Sequence, residues 1–517
     1  MNRHFRILVA LAVFTTALTT TSCDDFIDVN TNPNNGLVTT PQAVLPQALK
    51  VTGDNFGNLY NSYGNWTTAY WGKSGTVNGY SEERTYNYTS LYQQNLWTST
   101  YDNLNDYNIV ESTALEQGLP NLAAIAKIMK AYNYQLLVDE YGDIPYTQAL
   151  QGLSNVSPTY DKAEDIYKDL IAKLNEATET IRTLPTGTRA VGTEDIIFQG
   201  TMAQWSRFAN TLKLRMLLRM SNVSGLNTYV RAEMAKLPSV ANTFLTADAQ
   251  VQPGFIQNEG QQSPFYNRYG VVASGLASAT ERSYVQPTQY IIDQYQTNRD
   301  PRLTRLYTAA TDASVAGQYV GVVLGDPFVK LLPFYSRIRL GGGLLKAYDQ
   351  PVPLITASES YFLQAEAKLR GYITGPTTAE ADYLNGIQAS FTYFYAPTPS
   401  QRSTTADVSA TAVTNYNTYI ANNATNPLVA WNVNTTATML QKVYYQKYLA
   451  LNAVGSLKHG ASTEELDIQE FLLLLTLSPL VQIDYLCVCC IHNRRLQLIW
   501  PKYLPVLTNL LARFSGM

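Results

Sequence analysis

A chain of 517 residues with 37 basic and 40 acidic side chains carries a net charge of −3 and a pI near 5.8, which leaves no basic footprint for nucleic acid. Its histidines are His4, His459 and His492 and its cysteines Cys23, Cys487, Cys489 and Cys490. Residues 24–455 can therefore build no Ser-His-Asp or Cys-His nucleophile, no histidine or thiolate zinc site and no disulfide framework. No catalytic residue, metal or cofactor is expected; paired carboxylates are the one catalytic chemistry left open. Tyrosine, by contrast, numbers 37. A ring that joins an apolar face to a hydroxyl suits polar ligands with apolar faces, such as sugars and peptides, and equally suits helix interfaces.

The chain opens like a secretory signal peptide. Asn2-Arg3-His4-Phe5-Arg6 is a basic start, residues 7–18 are an apolar run too short to span a bilayer, and Thr19-Thr20-Thr21-Ser22 supplies small residues before Cys23. A lone cysteine at that point reads as the lipidation site of a bacterial lipoprotein. Residues 1–22 are then the signal, and 517 − 22 = 495 residues form the mature chain, tethered by acyl chains. Residues 23–40 are rich in Asp, Asn, Thr and Pro and read as an extended tether.

Apolar periodicity next predicts helices over 41–51, 60–70, 91–116 and 122–141, the last on Ile125, Ile128, Met129, Tyr132, Leu136 and Leu137 and stopped by Gly142 and Pro145. Tyr160-Asp161-Lys162-Ala163-Glu164 opens another helix with an acidic first turn, running to Leu174. Further helices are predicted over 204–219, 359–370 and 440–451. Residues 184–201, 253–288, 317–352 and 397–427 are rich in Gly, Pro, Ser, Thr and Asn and read as long loops or small hairpins, where binding function usually lives. The reading is mainly α: paired helices suggesting tetratricopeptide-like packing, although no 34-residue consensus is visible. Gly72-Lys73-Ser74 fails as a phosphate-binding loop, since Thr67 stands where the upstream glycine is required.

Several stretches in fixed order resemble one family. They are Ser22-Cys23-Asp24-Asp25-Phe26 at the anchor and Asp139-Glu140-Tyr141-Gly142-Asp143-Ile144-Pro145-Tyr146 after a long helix. Pro158-Thr159-Tyr160-Asp161, the segment from Trp205 through Arg215, Asp300-Pro301-Arg302-Leu303, and the segment from Glu359 through Gly371 follow. Together they resemble the SusD/RagB family of nutrient-binding outer-membrane lipoproteins of Bacteroidetes, in its starch-binding, outer-membrane-associated branch. The resemblance covers about Cys23 to Leu451. It implies a SusD-like fold over 41–455, a place on the outer membrane facing the cell exterior with Asp24-Asp25 as the sorting signal, and a SusC-like TonB-dependent transporter as partner. The stretches also have plain physical readings: Asp139 to Tyr146 as a turn that ends one helix, and Trp205 to Met220 as a core-facing amphipathic helix.

Beyond about Gly455 the chain departs from that family. Members continue with a segment like Glu-Ala-Trp-x-Glu-Tyr-Arg-Arg-Thr-Gly-Tyr-Pro. Here codons with permissible third bases for Lys458-His459-Gly460 and for Thr463 to Gln469 can give the same residues when read in a shifted frame. Residues 456–517 are accordingly read as an out-of-frame tail. The apolar run 471–491, broken by Pro479, Gln482 and Asp484, and the Cys487-Val488-Cys489-Cys490 cluster are then accidents rather than a membrane span or a metal site.

The function read from these features is capture of a glycan by stacking on ring faces flanked by polar side chains. Candidate ligand contacts are Trp66, Tyr70, Trp71, Tyr80 and Tyr86 in the densest aromatic region, which runs to Trp97, and Tyr266, Arg268, Tyr269 and Tyr284 in the Pro/Gly-rich middle. For each ring core packing is the competing role. An oligopeptide ligand, a carboxylate-dependent surface glycosidase and a purely structural lid on the transporter are the alternatives.

Overall fold

The structure, a computed structural model, describes residues 40–74, 77–85, 87–89, 91–276, 279–326, 330–402, 408–431 and 436–455. The signal segment with Cys23, the tether up to residue 39, Tyr86 and the tail 456–517 lie outside the described residues. The chain divides into units 1–40 and 41–517, and the elements that follow belong to the second.

Helix α1 (Pro41–Asn55) runs through a π turn at Phe56–Tyr60 into α2 (Asn61–Thr67), so the helix predicted over 60–70 is joined to the one before it. Strand β1 (Trp71–Lys73) and the short α3 (Ser81–Thr85) lead to α4 (Gln94–Glu116). Gly118 at φ +68° turns the chain, and Pro120, whose missing N–H costs nothing at a helix start, opens α5 (Pro120–Tyr141). Then come β2 (Ile144–Pro145), β3 (Tyr160–Asp161), α6 (Ala163–Arg182), α7 (Met202–Met220) and α8 (Asn227–Met234). Neighbours in this series pack in chain order: α1 on α4, α4 on α5, α5 on α6, α6 on α7 and α7 on α8. That serial stacking is the helix-pair arrangement the periodicity suggested.

The second half of the chain adds β4 (Ala249–Val251), α9 (Pro264–Tyr269), β5 (Val285–Pro287), α10 (Gln289–Thr297), α11 (Arg302–Leu306), β6 (Tyr307–Thr308), β7 (Arg337–Ile338) and β8 (Val352–Ile355). It ends with α12 (Ala357–Leu369), α13 (Ala379–Tyr395), α14 (Val408–Asn422) and α15 (Thr436–Leu451). The strands pair antiparallel and two by two, β1 with β5, β2 with β3, β4 with β8 and β6 with β7. Only β2–β3 and β6–β7 join near neighbours; β1–β5 and β4–β8 close long excursions, so they staple loops together rather than forming local hairpins.

Helix α14 falls inside a stretch expected to be a loop. Its sequence of Ser, Thr, Asn and β-branched residues has poor intrinsic helix propensity, and the helix is held by packing Ala412 and Tyr419 against α13. Two buried clusters result. One is built from α1 and α4–α8 with β4 and β8, the other from α2, α9–α11 and α13–α15. Helix α12 is the wall between them: Leu363 and Ala367 face the first, Phe362 and Ala365 the second. Among the described residues no helix is long and apolar enough to cross a membrane, and no group of His, Cys, Asp and Glu side chains could hold a metal ion.

Candidate ligand-binding cleft

Pairing of β1 with β5, Trp71 opposite Pro287 and Lys73 opposite Val285, brings the aromatic segment after α2 against the segment around α9. The two sequence-predicted groups of ligand contacts, some 200 residues apart, therefore meet in one place. They meet as two layers with different exposure.

The inner layer is core. Trp71 packs edge-on against Tyr269 at 4.9 Å and against Trp66 at 6.0 Å, with Phe265 at 6.1 Å. Tyr70 stacks on Tyr448 at 4.5 Å and donates to the Tyr448 carbonyl at 2.7 Å, while the Tyr269 hydroxyl meets Ser62 at 2.9 Å. Trp66, Tyr70, Trp71 and Tyr269 are all buried. Tyr70, Trp71 and Tyr269 have both faces covered by protein, whereas Trp66 lines the cleft described below.

The outer layer is half-buried. Tyr80 stacks on Trp66 with centroids 4.9 Å apart and planes at 30°, and Tyr284 meets Tyr80 edge-on at 6.0 Å. Arg268 fixes this layer from beneath. Its Nε donates to Glu281 Oε2 at 2.7 Å, Nη1 to the Asn58 carbonyl at 2.7 Å and Nη2 to the Tyr80 hydroxyl at 3.3 Å. Tyr80 also donates to Glu281, and burial raises its phenol above the ordinary range. Arg268 is thus a positioning residue. Tyr266 is half-buried and packs on the same cluster, and burial raises its phenol also.

Beside the Trp66–Tyr80 stack lies a narrow cleft lined by Trp66, Gly72, Lys73, Glu83, Arg84, residues 322–326 and Tyr335. Gly72 is required there: a Cβ would sit 2.8 Å from Val322. Burial lowers the Lys73 amine and Arg84 lowers it further, whereas burial raises the Glu83 carboxyl, which accepts from the Tyr92 hydroxyl at 3.0 Å. Arg84 reaches the Asp326 carbonyl at 3.4 Å. Sequence reasoning missed Lys73, Glu83, Arg84, Asp326 and Tyr335. The only available signal was charge interleaved with the aromatics of the 66–97 stretch, and Asp326 and Tyr335 carried none.

All four stretches predicted as long loops also converge, on a second cavity of about 340 Å³ lined by Thr193, Asp195, Gln199, Gln252, Phe255, Asp349 and Pro399 among others. Its buried polar groups are spent internally. Asp195 accepts from the Ile197, Phe198 and Gly200 amides and the Trp205 indole at 2.8–3.0 Å, and Asp349 accepts from the Ser400 amide at 2.6 Å and hydroxyl at 2.8 Å. Loop convergence here builds a frame rather than a set of open ligand contacts.

No curated protein sequence matches the chain. Among solved structures it is similar to a SusD homologue of Bacteroides fragilis NCTC 9343, at 22% identity and a TM-score of 0.63 over 81% of this chain and 85% of that one. It is similar to a chitin-binding protein at 22% identity and a TM-score of 0.63, over 82% and 86%. An outer-membrane protein of Bacteroides vulgatus ATCC 8482 to which nutrient binding is ascribed matches at 21% identity and a TM-score of 0.61, over 80% and 85%. At these identities the likeness shows the fold. Residues 33–458 match the family described as starch-binding and associating with the outer membrane, a span that takes in every described element, and the chain belongs to that SusD-like family.

Proposed function

We propose that this chain is a lipid-anchored protein of the outer membrane that captures a glycan at the cell surface and passes it to a SusC-like TonB-dependent transporter. The observation that supports the binding part is the half-buried Tyr80 ring, stacked on Trp66 and met edge-on by Tyr284, beside a narrow cleft of about 20 Å³ whose walls carry Lys73, Glu83, Arg84 and Asp326. Half-exposed ring faces take the CH surface of a sugar, and charged side chains at one edge take its hydroxyls. The chitin-binding relative and the starch-binding description of the family support a sugar over an oligopeptide. Anchoring through Cys23 and export by residues 1–22 rest on the sequence pattern, and the transporter rests on the family resemblance.

Native gel electrophoresis of the full chain through amylopectin, xylan and glycol chitin tests the ligand. Retardation by one polysaccharide, weakened by Arg84→Ala, is the expected result. Binding of casein-derived peptides with no retardation by any polysaccharide would replace the glycan by a peptide, and release of reducing sugar from the retarding polysaccharide would replace binding by hydrolysis. Loss of radiolabelled palmitate in Cys23→Ala tests the anchor, and co-purification from detergent-solubilised outer membranes tests the transporter. The out-of-frame reading of 456–517 is tested by resequencing the gene. Codons whose third bases are incompatible with the shifted frame would dismiss it.

A further inference from the structure

Among the described residues a second group of rings makes no ring contact with either layer described above. Trp97 and Tyr101 lie one turn apart on α4, with centroids at 4.9 Å. Tyr141 is the last residue of α5 and meets Trp97 edge-on at 5.0 Å and 89°. Gly142, at φ +74°, then reverses the chain into β2, where Pro145 pairs with Tyr160 of β3. That pairing stacks the Tyr160 ring on Trp97 at 6.3 Å, the planes within 26° of each other. Three elements thus build one aromatic surface.

The surface is held from behind. The Tyr101 hydroxyl donates to the Pro145 carbonyl at 2.6 Å, and the Asp161 carboxylate accepts from the Tyr146 and Thr147 amides at 3.0 and 2.8 Å. Its outer rings are open: Tyr160 is 65% exposed, Tyr141 40%, and Trp97 is half-buried. Among the described residues the Trp97 indole N–H and the Tyr141 and Tyr160 hydroxyls have no protein partner, in contrast to the Tyr80 hydroxyl, which Arg268 and Glu281 occupy. The core hydroxyls of Tyr70, Tyr107, Tyr295 and Tyr307 are spent on the protein; these are not.

We infer that Trp97, Tyr141 and Tyr160 form a second carbohydrate-binding platform that stacks a pyranose ring of a glycan chain, separate from the cleft at Trp66 and Tyr80. A large apolar face alone would suit a protein partner as well. Three unspent polar tips around rigid ring faces suit a ligand whose own surface alternates CH patches with hydroxyls. The inference rests on the glycan reading of the chain given above.

Its test uses the full-length chain in detergent, run through gels containing amylopectin, xylan or glycol chitin. Three proteins are compared with wild type: Tyr141→Ala/Tyr160→Ala, Trp97→Phe and the cleft variant Arg84→Ala. The tyrosine substitutions remove exposed rings, and Trp97→Phe keeps the buried part of that side chain filled, so folding is preserved and is checked by circular dichroism. The expected result is about five- to tenfold weaker retardation in the tyrosine double variant and a smaller loss in Trp97→Phe, with measurable binding left in Arg84→Ala. Wild-type retardation of the platform variants alongside loss of binding in Arg84→Ala would overturn the platform and leave the cleft reading intact. No retardation of wild type by any of the three polysaccharides would overturn both. Platform variants that bind glycan normally but no longer co-purify with the transporter would assign these rings to a protein contact and overturn the inference.

Discussion

Arg215 and Glu359, 144 residues apart in sequence, form an ion pair at 2.9 Å in which the side chains are 3% and 0% exposed. Arg215 comes from α7 and Glu359 from the first turn of α12, the helix that separates the two buried clusters. Arg215 also donates to Gln135 at 2.8 Å and lies 5.5 Å from the Tyr132 ring centroid, so it ties α5, α7 and α12 into one polar knot. Removing Glu359 leaves Arg215 buried without its counter-charge, and removing Arg215 takes from Glu359 its partner at 2.9 Å, with Arg219 as the neighbouring cation. Arg215→Met and Glu359→Leu should each cost about 3–5 kcal/mol in urea unfolding, whereas the double variant should recover most of that loss. A double variant as unstable as the sum of the two would contradict this account.

Arg302 is held differently. It is fully buried, forks onto Asp300 at 2.6–3.0 Å, donates to Ser390 at 2.9 Å and lies 4.8 Å from the Phe391 centroid and 5.4 Å from that of Tyr419. Lysine keeps the charge but neither the fork nor the flat face. Arg302→Lys should therefore destabilise the fold by about 2 kcal/mol or more, read from the denaturation midpoint.

Burial pushes the Glu140 carboxyl up to about 8, and the neighbouring Asp139 adds to the rise against the Tyr63 hydrogen bond and the Arg219 charge. Between its ordinary value of 4.5 and about 8 the folded chain holds a proton that the unfolded chain has released, so stability falls as pH rises through that window. Glu140→Gln removes this titration. Its stability relative to wild type should be about 3–4 kcal/mol better at pH 8 than at pH 5, by urea unfolding at the two pH values.

Lys346 gives the opposite slope. Burial lowers its amine to about 7 even though Nζ donates to the Tyr393 carbonyl at 2.6 Å and sits 4.3 Å from that ring centroid. Between 7 and 10.5 the unfolded chain binds the extra proton, so this residue makes stability rise with pH there. Lys346→Met should flatten that rise by about 3–4 kcal/mol between pH 7 and pH 10. An unchanged slope would show that the amine stays charged in the fold.

Much of the helical layer was legible in the chain. The face of Ile125, Ile128, Met129, Tyr132 and Leu136 is buried as its spacing required, Gly142 ends α5 as read, although the helix begins at Pro120 rather than at 122, and the acidic turn at Glu164 marks the start of α6. Helix α14 was not legible, because Ser, Thr and Asn favour loops unless a neighbour supplies contacts, and that neighbour, α13, was itself not foreseen. Ligand contacts were legible only as a region. Tyr80, Tyr284 and Arg268 do converge, yet Tyr70, Trp71 and Tyr269 from the same two stretches are core.

The sequence by itself determined the mainly helical class, the absence of histidine and cysteine chemistry from 24–455, and the family, because periodicity, residue counts and motif order are properties of the linear chain. Only the tertiary structure decided which tyrosines are core and which are surface. A tyrosine serves both roles with the same atoms. Whether its face is covered, as in Tyr70, or open, as in Tyr160, depends on what segments remote in sequence bring against it.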